Sequence, residues 1–76
     1  MNKQRRKTIN ELIEQIELLK NDVELVLNEE EEYRDNIPES MTDKYEIADS
    51  ACSNLDSALN SLDEAMEYLE YARDGE

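Results

Sequence analysis

Four alanines spaced seven residues apart, Ala51, Ala58, Ala65 and Ala72, constrain this chain more than any other feature, each lying three residues after Ala48, Leu55, Leu62 or Leu69. A seven-residue apolar repeat suits an α-helix pressed along another helix, and it does not suit a strand, whose side chains alternate with period two. The repeating unit is Ala-apolar-x-x-Leu-acid-x, running three times over residues 51–71. Alanine at a repeating position lets a neighbouring backbone approach to the low end of the usual interaxial range of about 8–10 Å. The row therefore predicts tight lateral packing, in which a leucine at position 58 would overfill the contact.

The first half carries its own stripe. Ile9, Leu12, Ile16, Leu19, Val23 and Val26 alternate three and four apart, with Ile13 and Leu27 widening the band, and neither Gly nor Pro occurs from Met1 to Ile37. This predicts an amphipathic helix over about residues 5–34. Arg34-Asp35-Asn36-Ile37-Pro38 ends it, because the residue before proline avoids the helical region and Asp-Asn favours turns. A connector over about 35–42 offers Ser40, Thr42 and Asp43 as caps, and a second helix is expected over about 43–73. Two helices of equal length, each about 45 Å long at about 1.5 Å per residue, joined by a short connector, fold back on one another. The expected fold is all-α: one domain, residues 1–76, forming an antiparallel, coiled-coil-like two-helix hairpin.

A 76-residue chain buries a poor fraction of its surface, and two helices alone make a thin core. A homodimer assembling a four-helix bundle is the expectation. Leu18 and Leu25 lie off the main stripe of the first helix, and a lone hairpin would leave them wet. We assign them, with Ala51, Ala58, Ala65 and Ala72, to an oligomer interface; the plainer alternative is two ordinary exposed leucines.

The net charge is −13, and it is uneven: the first seven residues hold four bases and no acid, leaving four bases against 21 acids in the remainder, a balance of −17. Such a surface repels nucleic acid and anionic membranes and attracts basic proteins or cations. No direct nucleic-acid binding is expected. The longest apolar run, Leu25-Val26-Leu27, is far short of the roughly 20 residues a membrane span needs. With no apolar run near Met1 to suggest a secretory leader, and a single Cys, the expected location is the cytoplasm of a bacterial host cell. Arg5, Arg6 and Lys7 open the first helix, and Glu67, Glu70, Asp74 and Glu76 close the second. Each arrangement opposes the helix dipole, and an antiparallel hairpin sets one against the other. Read functionally, the three bases would form an anion site; the simpler reading is a solvated end or a charge match.

Most chemistry is excluded. Without His there is no imidazole base, and with one Cys there is no zinc cluster. No catalytic residue, cofactor or metal ligand is assigned, so the leading expectation is a protein that is not an enzyme. Cys52 falls beside Ala51 and Leu55, and a buried inert thiol is expected. Tyr68 and Tyr71 lie off the Ala-Leu stripe, where they cover a partner surface or flank the core. One enzymatic alternative stands: Glu29-x-x-Glu32 followed by Glu46-x-x-Asp49 is similar to the ExxE…ExxD signature of the all-α nucleoside triphosphate pyrophosphohydrolases. There, four carboxylates on two antiparallel helices hold Mg²⁺, a hard cation suited to oxygen ligands. Glutamates solvated at a helix end explain the same residues, since a run of four acids contains every short spacing.

The segment EEEEYRDNIPESM (Glu29 to Met41), followed by a second helix of Ala/Leu heptads, resembles small uncharacterised acidic helical-hairpin proteins of phages and prophages. The resemblance covers most of the chain and implies a context rather than an activity: a non-enzymatic inhibitor gripping a host or defence protein, some of which imitate DNA in charge. Glu29, Glu30, Glu31 and Glu32, with Glu67, Glu70 and Asp74, are the expected contacts to a partner with a basic, nucleic-acid-handling surface. The total of −17 on a rod of about 45 Å is one charge per roughly 2.6 Å, against one per about 1.7 Å of duplex DNA. A virion or scaffold oligomer is the remaining alternative, and solubility alone would also explain the charge.

Overall fold

The computed structural model describes residues 1–75. It consists of α1 (Lys3–Asp35) and α2 (Thr42–Asp74), folded back as an antiparallel hairpin whose Cα extents are 59 × 16 × 10 Å. Each helix runs one or two residues beyond its expected ends.

Asn2 starts α1: its side-chain oxygen accepts from the Arg5 backbone N–H at 2.8 Å, satisfying one of the free donors of the first turn. At the other end the Asn36 N–H donates to the carbonyl of Glu32 at 3.2 Å, and that of Ile37 to Arg34 at 3.1 Å. The chain then turns through Pro38, whose carbonyl accepts from Met41 N–H at 2.9 Å. That turn decides the start of α2. It makes Met41 the N-cap, with no side-chain hydrogen bond to the helix, and corrects the expected caps. Ser40 falls one residue too early, and Thr42 and Asp43 already belong to the helix.

Three cross-helix contacts fix the register. Lys20 pairs with Asp63, Arg34 Nη1 donates to Asp49 Oδ1 at 2.9 Å, and Arg73 Nη1 donates to Asn10 Oδ1 at 2.8 Å. From Lys20 to Arg34 is 14 residues up α1, and from Asp63 to Asp49 is 14 residues down α2. From Lys20 to Asn10 is ten residues the other way, matched by ten from Asp63 to Arg73. The pairing therefore keeps one register along the hairpin.

The seam follows from which side chains are covered. On α1 these include Arg6, Ile9, Ile13, Ile16, Lys20, Val23, Leu27, Glu30 and Arg34; on α2, Ala48, Cys52, Leu55, Leu59, Leu62, Met66, Leu69 and Arg73. Both sets alternate three and four, the a/d spacing of a coiled coil, with Ile13, Lys20, Leu27, Cys52, Leu59 and Met66 at a. Only Ala48 and Cys52 are fully buried among the described residues. The rest of the seam is half-covered, apolar except for Lys20 at its middle and Arg6, Glu30, Arg34 and Arg73 toward its ends.

The alanine row does not line this seam. Ala51 is half-buried and Ala58, Ala65 and Ala72 are exposed, because the larger residues one position on, Cys52, Leu59 and Met66, take the inner position. The tight lateral packing expected of the alanine row is therefore not made within the hairpin: the row sits at g, along one flank. Leu12, Leu19 and Val26 move likewise, from the expected stripe to g of α1, where they are 41, 49 and 51 % exposed.

Candidate functional site

In an antiparallel pair the e positions of both helices border one side of the seam and the g positions border the other. The e positions of α2 are Asp49, Asp56, Asp63 and Glu70; those of α1 are Asn10, Glu17, Glu24 and Glu31. Seven of these eight are carboxylates. A shallow groove on this side brings Glu31, Asp49 and Asp56 around Arg34, with Leu27 and Cys52 in its floor. The g positions, by contrast, are Leu12, Leu19, Val26 and Tyr33 on α1 and the alanines on α2, with Arg5 and Lys44 only at the extremities.

Cations reach the acidic side from the seam. Lys20 and Arg34 occupy a positions two heptads apart, and each leans toward an e-position aspartate of α2. Hydrogen bonding to Asp63 holds the Lys20 ammonium above its ordinary value, against the opposing effect of its partial burial. Arg34 is raised chiefly by its hydrogen bond to Asp35, with Asp49 a smaller cause. These pairs are half in solvent, the aspartates more than half exposed, so their value lies in register more than in stability. At the open end Arg73 binds Asp74 through two nitrogens at 2.7 and 3.0 Å and holds that carboxyl below its usual value, with Arg6 a lesser contributor. The basic start of α1 thus does lie beside the acidic end of α2; Glu76 lies outside the described residues.

The expected partner contacts are dispersed by this geometry. Successive helical residues step by about 100°, so the run from Glu29 to Glu32 goes around α1. Glu29 falls at c toward the apolar side, Glu30 is half-buried in the seam, Glu31 is on the acidic side, and Glu32 points away from α2. Glu67, Glu70 and Asp74 lie on the acidic side of α2, but about 27 Å along the axis from Glu31, counting about 18 residues at 1.5 Å. Glu67 accepts from the Tyr71 hydroxyl at 2.5 Å, and Tyr68 and Tyr71 meet edge to face with centroids 6.3 Å apart. Leu18 and Leu25 stand on the outer ridge of α1, 65 and 60 % exposed.

The carboxylates of the Mg²⁺ alternative do not converge. Asp49 is engaged by Arg34, Glu29 and Glu32 point to other sides of α1, and among the described residues no group of three or more His, Cys, Asp or Glu is arranged to hold a metal ion. Cys52 is 5 % exposed, and burial pushes its thiol up, away from the reactive thiolate. Among the described residues no helix is long and apolar enough to cross a membrane.

Sequence reasoning missed Glu17, Glu24, Asp56 and Asp63 as members of one surface. The signal was present in the repeat itself: an acid follows each apolar d residue, in Ala48-Asp49, Leu55-Asp56, Leu62-Asp63 and Leu69-Glu70. Compared with protein families, curated proteins and solved structures, the chain matches none.

Proposed function

We propose that this chain is a non-enzymatic interaction module whose acidic side docks on a basic surface of another protein, and that it works as a homodimer. The observation that supports the reading is segregation. Charge serving solubility alone has no reason to avoid one set of positions, yet the e positions are acidic heptad after heptad while the g positions carry no acid, and are apolar from Leu12 to Val26 and from Ala51 to Ala72.

The magnitude favours a docking ridge over a full replica of duplex DNA. From Asp49 to Glu70 the acidic side runs about 32 Å, and Lys20 and Arg34 offset two of its carboxylates. At the e positions Glu17, Glu24, Glu31, Asp56 and Glu70 remain, and Glu67 stands beside them, roughly one charge per 5 Å, below the density of a single DNA strand. That spacing suits lysine and arginine side chains on a protein surface. The resemblance to phage hairpins supports a nucleic-acid-handling protein of the host or its defences as the target, and a cytoplasmic site of action.

The test is capture of partners from bacterial lysate on the tagged chain at low salt, eluted with a salt gradient. The triple variant Glu17→Gln/Glu24→Gln/Asp56→Asn is expected to keep its helicity and lose the captured protein, while Glu29→Gln/Glu32→Gln retains it. Equal capture by the triple variant would overturn the reading.

A further inference from the structure

The apolar flank has a self-complementary form. Along α1 it carries the large side chains Leu12, Leu19 and Val26, half-exposed; along α2, at the same heights in the observed register, it carries Ala72, Ala65 and Ala58. A two-fold axis parallel to the helices sets α1 of a second copy over α2 of the first at equal height. Leu12 of the second copy then meets Ala72, Leu19 meets Ala65 and Val26 meets Ala58, and the same contacts recur in reverse, as an isologous interface requires. We propose that the homodimer forms through this flank, in this register, giving a four-helix bundle in which every lateral neighbour is antiparallel. The proposal rests on the homodimer reading above and gives it a face and a geometry.

Area agrees with a second copy as the occupant. The chain exposes 5800 Å², whereas a compact monomer of its mass exposes about 4,800 Å². The excess of about 1,000 Å² is close to the roughly 800 Å² that each partner buries in a standard interface. Charge agrees as well. The outer rim of the flank on α1 carries Asp22 and Glu29, and in this register they come level with Ser61 and Asn54 of the second copy's α2, so carboxylate does not face carboxylate. The seven e-position acids point away from the joint on both copies. An axis perpendicular to the helices would instead set leucine on leucine and alanine on alanine, leaving the joint overfilled on one side and open on the other. Leu18 and Leu25, on the outer ridge, stay outside this interface.

Sedimentation equilibrium at moderate salt, with circular dichroism as the check on folding, tests the proposal. The expected result is a dimer that Leu19→Glu and Ala65→Glu each weaken at least tenfold, while Ser53→Glu, adding the same charge on the acidic side, leaves it unchanged. Both target positions are solvent-exposed in the single hairpin, so helicity should persist. A wild-type chain that stays monomeric would overturn the homodimer reading and this interface with it. A dimer indifferent to both substitutions would overturn the interface alone. For the register, Leu19→Cys chains are mixed with Ala65→Cys chains in a Cys52→Ala background and oxidised. Mixed disulfide dimers are expected; Leu19→Cys chains pairing with themselves instead would overturn the parallel axis.

Discussion

Lys20 stands at the middle of the seam, at a position where a coiled coil ordinarily places an apolar side chain, and its ammonium leaves the seam for Asp63. Its proton affinity is raised by that bond, and Tyr71, donating to Glu67, is likewise raised from its ordinary 10.0. In both residues the fold favours the protonated form. The contribution is complete below the unfolded values, 10.0 for Tyr71 and 10.5 for Lys20, and is lost as pH rises through the higher folded ones. Melting followed from pH 8 to about 11.5 should therefore show a midpoint falling above about pH 10, and a shallower fall in Lys20→Met/Tyr71→Phe. Identical slopes would show that neither residue carries the effect. At neutral pH, Lys20→Met should melt no lower than wild type, because removing a half-covered ammonium from the seam offsets the lost pair.

At the scale of the helix, two boundaries and two stripes were legible in the sequence, and the inward rotation of each stripe was not. Leu12, Leu19 and Val26, and the alanines of the second helix, repeat every seven residues and so mimic a seam. The true a positions repeat with the same period and include Lys20, Arg6 and Arg34, which hydropathy alone discards. A long basic side chain can occupy such a position when its stem is covered and its head reaches an acid outside, and each α2 heptad supplies one. The second miss, the cap, is also a matter of one residue. A turn closed by Met41 on Pro38 shifts the helix start past Ser40, and no local preference reports that. The vacancy is open to repair: Met41→Ser should raise stability by about 0.5–1 kcal/mol, read as a higher denaturation midpoint at unchanged m-value. No gain would mean that the backbone at residue 41, with ψ at 59°, does not let a side chain reach the third helical N–H.

For the whole molecule, the sequence carries 21 acids against eight bases, and among the described residues almost nothing is fully buried, so repulsion is a large part of the balance. Raising salt from about 0.01 M to about 0.1 M shortens the screening length from about 30 Å to about 10 Å. The midpoint of thermal melting should rise over that interval; a fall would mean that the exposed ion pairs outweigh the repulsion. The acidic side was half-legible beforehand, since net charge and the acid after each leucine are plain in the letters. Which carboxylates share a side depends on where the seam lies, and the seam lies one residue past the rows that hydropathy favours. The hairpin also places its first and last described residues at one end and its two fully buried side chains, Ala48 and Cys52, near the other. A load applied between the termini therefore acts in peel. It opens the seam one heptad at a time from Arg73 and Asn10 toward the connector, against only a few layers at once, whereas a load along the rod would have to shear every layer together.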